Sequence, residues 1–335
     1  MRIGMHLSFK EGPARAKALG AKALQVFCGN PRGWQKNPLD PVFVKQFREQ
    51  IAANGIDPVV VHATYLINLA ARDEKFFKLS CESFAIELER ARQIGAKFYV
   101  VHIGNHMGAG ADEGRRRVAE CINNGVICCP DCPEILVENT AGGGTSLGTT
   151  FEEVAAVMDA VKCDKLGLCF DTCHALAAGY DIRNAEGVGK TLDVIDKTIG
   201  LKRLRCLHLN DSKGELGSHL DRHEHIAQGC VGESGFRALF SDKRLWDLPA
   251  ILETPRDTED DEANDLWRAI DLAIECGALK PEEAGTRPEN IGPGAVRTAK
   301  GKAAMAAKPA PKRASESKEK AKPAPKKAAS KRSKK

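Results

Sequence analysis

The chain has 335 residues, 42% of them hydrophobic, enough for one sizeable core, and no run reaches the roughly 18 apolar residues of a membrane span. The net charge of +5 hides a division: residues 296–335 hold 15 Lys/Arg against 2 Glu, a net of +13, while residues 1–295 hold 35 basic and 43 acidic residues, a net of −8. An acidic globular body, residues 1–285, followed by a disordered Lys/Ala/Pro-rich basic tail, residues 286–335, is therefore expected, with repeats such as Lys-Pro-Ala-Pro-Lys at 308–312 and 322–326 offering almost nothing to bury.

Met1-Arg-Ile-Gly-Met-His6 lacks a long apolar run, so no export signal is expected. The 12 cysteines are scattered, several within apolar runs, as suits reduced thiols in a cytosol. Cys128, Cys129 and Cys132 contain one C-x-x-C with no second pair nearby and read as a local surface feature rather than a metal or redox site. Strands are expected over Arg2–Ser8, Ala23–Cys28, Pro58–Ala63, Lys97–Gly104, Ile135–Thr140, Leu166–Asp171, Leu204–Asp211 and Pro249–Thr254. Helical periodicity falls between them at Pro41–Asn54, Glu74–Ile94, Glu113–Asn124, Phe151–Val161, Gly187–Ile199 and Ala263–Cys276. The strands are continuous apolar runs, as in Val59-Val-Val61, which marks burial on both faces. Eight such strands alternating with helices predict an α/β fold, a (β/α)8 TIM barrel. An open doubly wound sheet is disfavoured, because no glycine-rich phosphate loop follows the first strand.

Polar residues close the strands. Strand three ends at His62, strand four at His102, strand five at Glu138, strand six at Asp171 with His174 three residues on, strand seven at His208 and strand eight at Glu253. The long loop after strand seven contains Asp221-Arg222-His223. In a barrel these converge on one bowl at the carboxyl face. Four carboxylates and five imidazoles gathered there need counter-charge, since a buried unpaired carboxylate costs several kcal/mol. Two or three divalent cations supply it, and mixed N and O donors favour zinc, with manganese or iron as alternatives.

His62–Leu69, Glu138–Gly142, Phe170–Ala175 followed by Ala178–Asp181, His208–Lys213, Asp221–His223 and Glu253–Pro255 together resemble the endonuclease IV family of abasic-site DNA repair enzymes, in matching order across residues 1–278. That resemblance implies a barrel with three Zn2+ per chain. His62, His102 and Glu138 would hold one; Glu138 as a bridge, Asp171, His208 and Glu253 a second; His174, Asp221 and His223 the third. It implies hydrolysis of the phosphodiester 5′ to an abasic site in duplex DNA, leaving a 3′-hydroxyl and a 5′-deoxyribose phosphate. Glu138 would hold the spacing of two ions and Glu253 would orient the attacking hydroxide. Arg32, Tyr65 and Leu66 match the positions whose side chains enter the DNA. A monomer in the cytoplasm, nucleoid-associated if bacterial, is expected, with the tail adding non-specific DNA binding. Two departures stand out. His102-Ile-Gly104 lacks the family's Pro, which leaves that loop less pre-set, and the family's Gly after Asp221-Arg-His223 is replaced near Ile226-Ala-Gln-Gly229. His106, His219 and His225 are expected outside the ligand set. The alternative is a metal-dependent sugar isomerase or epimerase on the same barrel.

Overall fold

The computed structural model describes residues 1–292. Most of the expected tail, from residue 293 onward, lies outside the described residues. The strands are β1 (Arg2–Leu7), β2 (Ala23–Phe27), β3 (Val59–His62), β4 (Phe98–His102), β5 (Glu134–Glu138), β6 (Leu166–Asp171), β7 (Leu204–His208), β8 (Asp211–Ser212), β9 (His223–Glu224) and β10 (Pro249–Leu252). Eight of them close into a parallel barrel in the order β1-β10-β7-β6-β5-β4-β3-β2, the (β/α)8 fold expected. The short β8 and β9 pair antiparallel outside it. The helices are α1 (Gly12–Leu19), α2 (Pro41–Asn54), α3 (Glu74–Ile94), α4 (Ala111–Cys128), α5 (Phe151–Ala160), α6 (Thr172–Ala178), α7 (Ala185–Thr198), α8 (Gly232–Ser241) and α9 (Asp261–Glu275).

Helices α2 and α3 have the expected bounds because both ends are written in side chains. Asp40 accepts from Val42 N–H and Asp73 from Lys75 and Phe76 N–H, which satisfies first-turn donors. Gly55 and Gly95, at φ +63° and +75°, close the last turns in a conformation that costs other residues more.

The barrel interior is filled by Ala23, Val60, Phe98, Val100, Leu136, Cys169, Cys206 and Ile251, none more than 2% exposed. Alternate residues such as Val59 and Val61 face outward into the helical layer. The period of two then fixes what stands above this plug. Two residues on from Gly4, Ala23, Val60, Val100, Leu136, Cys169, Cys206 and Ile251 come His6, Gln25, His62, His102, Glu138, Asp171, His208 and Glu253. One polar side chain per barrel strand is thus turned inward at the carboxyl end.

Two expectations need correction. Cys129 and Cys132 are buried rather than superficial, at 3% and 4% exposure, and only Cys128 of the three is exposed. The Cys129 thiol donates to Glu89 Oε2 at 3.6 Å, and burial pushes its pKa up to about 11, so it packs as a neutral group. The boundary expected after residue 285 falls inside a packed stretch. Ile291 is buried, and Arg287 stacks 4.3 Å over Trp267 and pairs with Asp271. Among the described residues no helix is long and apolar enough to cross a membrane.

Candidate metal centre

Glu138 is the hub of the inward ring. Its carboxylate is fully buried, with Oε2 3.3 Å from His62 Nε2 and 3.3 Å from His102 Nε2. Its Oε1 lies 3.0 Å from His208 Nδ1 and 3.4 Å from His174 Nδ1. Glu253 Oε2 approaches His208 Nδ1 at 3.2 Å, and Asp171 Oδ2 lies 3.9 Å from the same nitrogen. Three groups bring one ligand atom per residue within 4.8 Å of one another: His62, Glu138 and His208; Glu138, Asp171, His208 and Glu253; Asp171, His174 and His223.

The imidazoles are aimed by what their other nitrogens do. A carbonyl oxygen can only accept, so a ring nitrogen facing one must carry the proton. His62 Nδ1 meets Ala63 O at 2.7 Å, His174 Nδ1 meets Asn139 O at 2.9 Å and His223 Nδ1 meets Glu253 O at 3.1 Å. His208 Nε2 meets Gln25 Oε1 at 2.9 Å, and the Gln25 amide is oriented by donating to Glu253 Oε1 at 2.6 Å. Four of the five imidazoles therefore turn their other nitrogen, the one free to ligate a cation, toward the carboxylates, held by outer partners in the way metal ligands usually are. Asn210 braces the carboxylates, donating to Asp171 Oδ2 at 2.6 Å and accepting from Glu253 N–H at 2.8 Å.

The third group is assembled by two local devices. Asp171 caps α6, its Oδ1 accepting from His174 N–H at 2.8 Å. The three-residue spacing is thus the spacing of a capped first turn, which sets His174 beside the carboxylate. The pairing of β8 with β9 folds the long loop back over the bowl, so that Asp221 Oδ1 comes 3.3 Å from His174 Nε2 and 3.6 Å from His223 Nε2. His223 Nε2 is a buried nitrogen with no hydrogen-bond partner. An orphaned lone pair beside two carboxylates is what a cation ligand looks like before the cation is present. Cys173 also lies beside Asp221 and His223. Its thiol donates to Arg222 O, and burial pushes its pKa up to about 12, so it is a poor ligand.

Electrostatics in the cup follow from crowding. Burial opposes charge on Glu138, but His102, His208 and His174 hold its carboxyl well below the usual range. Burial opposes charge on His208, yet Glu253 and Glu138 push its pKa up to about 10. His174 is raised well above its ordinary value by Asp171, Asp221 and Glu138 against the same burial. His102 is lowered, burial being the main cause. In the metal-free chain, protons on the imidazoles thus stand in for cations. The donor set, its orienting partners and the orphaned His223 nitrogen all fit divalent ions.

Six of the nine expected ligands, His62, His102, His174, Asp221, His223 and Glu253, line a cavity of about 450 Å³ whose mouth includes Phe27, Tyr65 and Arg256, and the other three, Glu138, Asp171 and His208, are fully buried against them. Tyr65 is 69% exposed with its ring 5.0 Å from Phe27; Arg32 is exposed and Leu66 half-buried, on neighbouring loops. Of the histidines left aside, His219 is exposed and His106 half-buried, while His225 is buried with Nδ1 2.8 Å from Asp265 Oδ2. The loop at His102-Ile-Gly104 is pinned without proline: Asn68 Oδ1 accepts from Asn105 N–H at 2.9 Å, and Ile103 is fully buried. Ala227 stands at φ +65°, which accounts for a glycine preference there. Sequence reasoning missed His6 and Gln25. His6 Nδ1 is 2.9 Å from Gln25 Nε2 and 3.5 Å from Glu253 Oε1. Their period-two position on β1 and β2 was the available signal.

Residues 13–274 match the family model described as xylose isomerase-like TIM barrel. A probable endonuclease 4 of Methanoculleus marisnigri is 42% identical over 280 residues, covering 81% of this chain and 98% of the relative. One from Geobacter sulfurreducens is 42% identical over 265 residues, covering 77% and 90%. Among solved structures, endonuclease IV from Thermus thermophilus superposes with a TM-score of 0.73 at 40% identity, covering 82% of this chain and all of that one. A D-tagatose 3-epimerase-like protein, at TM-score 0.63 and 21% identity, shares the fold alone.

Proposed function

The chain belongs to the endonuclease IV family and is a metal-dependent nuclease of DNA repair; from that membership we propose that it hydrolyses the phosphodiester 5′ to abasic sites in duplex DNA, leaving a 3′-hydroxyl and a 5′-deoxyribose phosphate. The observation that carries this reading is the convergence of four oriented imidazole nitrogens, one of them without a hydrogen-bond partner, on the buried carboxylates of Glu138 and Asp171 and on those of Glu253 and Asp221. Three zinc ions fit the donors. His62, His102 and Glu138 would hold one, Glu138, Asp171, His208 and Glu253 a second, and His174, Asp221 and His223 the third. Bound ions supply a water of lowered pKa and neutralise charge on the phosphate and the departing oxygen.

The chain's own residues do the rest. Glu138 spans two ligand groups and sets their separation. Glu253, fixed by Gln25 and Asn210, would orient the attacking hydroxide. Asp171 joins the second group to the third through the α6 cap. No side chain has to form a covalent intermediate. Tyr65, Leu66 and Arg32 would enter the duplex at the missing base, where unstacking costs least. The basic segment after residue 296 would add contacts to phosphates without sequence preference. A monomer working in the cytoplasm, on nucleoid DNA if the source is bacterial, completes the reading.

Incubation of the zinc-replete protein with a duplex carrying a tetrahydrofuran abasic analogue should give a single nick 5′ to the lesion. An uncut duplex would refute the assignment. The isomerase or epimerase alternative rests on structures that share only the fold, and nicking of the duplex also separates the two.

A further inference from the structure

We propose that a buried ion pair outside the metal cup, Lys36 with Glu87, positions the two loops that carry Arg32 and Tyr65-Leu66, which makes Glu87 a positioning residue for DNA binding; this rests on the reading of those three residues as DNA contacts. Glu87 lies on α3 and is fully buried. Its Oε1 is 2.9 Å from Lys36 Nζ and accepts from Thr64 Oγ1 at 2.7 Å. Its Oε2 accepts from Thr64 N–H at 3.2 Å and from Tyr99 Oη at 3.0 Å. Each oxygen therefore has two donors, and neither belongs to the metal cup.

Three of these four donors, Lys36 Nζ and the Thr64 hydroxyl and N–H, come from the loops in question. Lys36, 1% exposed, closes the loop that carries Arg32 and also donates to Gly33 O at 3.2 Å within it. Thr64 immediately precedes Tyr65. Arg90, three residues after Glu87 on the same helix, donates to Cys28 O at 2.7 Å and to Asn37 O. One face of α3 thus grips the start, middle and end of residues 28–37 and the root of residues 63–66. A buried ion pair seldom maximises stability, but it specifies one arrangement of the backbone groups it touches. Here those groups belong to the segments that leave Arg32 exposed and Tyr65 exposed at the mouth of the bowl.

The test uses the full-length, metal-loaded chain. Glu87→Gln removes the charge, and Thr64→Val removes the second loop's hydroxyl tether to Glu87 and Lys36 while leaving the backbone N–H bond and the ion pair. Metal content, hydrogen exchange of residues 28–37 and 63–67, and KM and kcat on an abasic duplex are measured, with Tyr65→Ala in parallel. Glu87→Gln should speed exchange in both loops, Thr64→Val mainly in the second. Metal content should hold, and KM should rise about tenfold, the cost of ordering roughly one more backbone residue on binding. Unchanged exchange, or metal loss that accompanies the KM change, would overturn the proposal. So would an unchanged KM when Tyr65→Ala raises it. If Tyr65→Ala also leaves KM unchanged, the DNA-contact reading has failed and the proposal falls with it. Should Glu87→Gln fold poorly, the double variant Glu87→Gln/Lys36→Met removes both charges, and wild-type exchange in that protein would overturn the idea equally.

Discussion

Replacing Glu138 with Gln isolates the charge at the centre of the cup. The side chain keeps its volume, so no cavity opens. What disappears is a carboxylate with imidazole nitrogens at 3.0, 3.3, 3.3 and 3.4 Å. Removing one partner from a buried charged set costs roughly 3–5 kcal/mol, which corresponds to about 10²–10⁴ in a binding constant. A lost neutral hydrogen bond, at about 1 kcal/mol, would not approach that. The loss should be selective. Glu138 faces His174 through Nδ1, the nitrogen bonded to Asn139 O, so Nε2 beside Asp221 is untouched. Dialysis against graded chelator, with metal measured by mass spectrometry, should show about three ions per wild-type chain falling toward one in the variant. A variant that keeps the full complement within tenfold of wild-type affinity would refute the assignment of Glu138 as the bridge. Loss of every ion together would refute the independence of the third group.

Metal uptake should release protons. His208 is held up to about 10, so it is protonated in the metal-free chain at pH 7.5, and the carboxylates around His174 raise it in the same direction. Zinc titrations in two buffers of different ionisation enthalpy should reveal proton release on loading, at least about one per chain from His208, and heats independent of buffer would contradict this. The sign for stability follows. A raised histidine pKa stabilises the metal-free fold fully below about 6.5, and that contribution is lost as pH rises toward about 10. Urea unfolding of the metal-free chain should therefore weaken across that window, and a flat profile would show the pairs contribute little. Ala227→Gly should stabilise the metal-loaded protein by roughly 0.5–1 kcal/mol by relieving a left-handed backbone at φ +65°; an unchanged or lower melting temperature would show that the loop carries no such strain. Truncation after Val296 removes a net charge of +13 and should flatten the salt dependence of DNA affinity. Truncation after residue 285 would be a poor substitute, because it also strips Arg287 from α9 and the buried Ile291 from the core. An unchanged salt slope would remove the tail from DNA binding.

The barrel was legible because its strands are doubly buried and bounded by residues with strong backbone preferences. Where those signals weaken, the reading slipped. Strand seven was expected to reach Asp211 but ends at His208. The Asp211 carboxylate accepts from Ser212, Gly229 and Val231 N–H at 2.8–2.9 Å, which turns the chain out of the barrel to start β8. Helix α8 opens on Gly232-Glu-Ser-Gly235, a composition that looks like a loop, and α6 is too short for periodicity to show. Six of the candidate ligands, His62, His102, Glu138, Asp171, His208 and Glu253, were readable as polar residues at or just past strand ends. His6 and Gln25 were not, because the inward polar residue is followed by further apolar strand residues, Leu7 on β1 and Val26 and Phe27 on β2. Strand ends therefore mark fewer of the inward residues than the period of two does. The anchor at Lys36 and Glu87 was invisible for a different reason: its members are 51 residues apart and meet only through the packing of α3.

Under the proposed three-ion reading, Asp171 and His174 form one backbone device that would serve two cation groups. As an isolated motif the pair suggests two ligands of one ion. In the structure Asp171 Oδ1 is committed to the His174 N–H, while Oδ2 faces His208 and His223 at 3.9 Å each. The carboxylate is thus a cap on one oxygen and a junction between groups on the other. His174 gains its orientation from the cap and from Asn139 O, and turns Nε2 to Asp221. Asp171→Asn keeps a capping oxygen, so α6 and the placement of His174 should survive while the junction loses its charge. His174→Gln leaves the junction intact and removes the imidazole that Asp221 faces. Metal analysis should then find the Asp171 variant short of the ion shared with His208 and Glu253, and the His174 variant short of the ion shared with His223. Identical metal losses in the two variants would mean that the spacing serves a single ion after all.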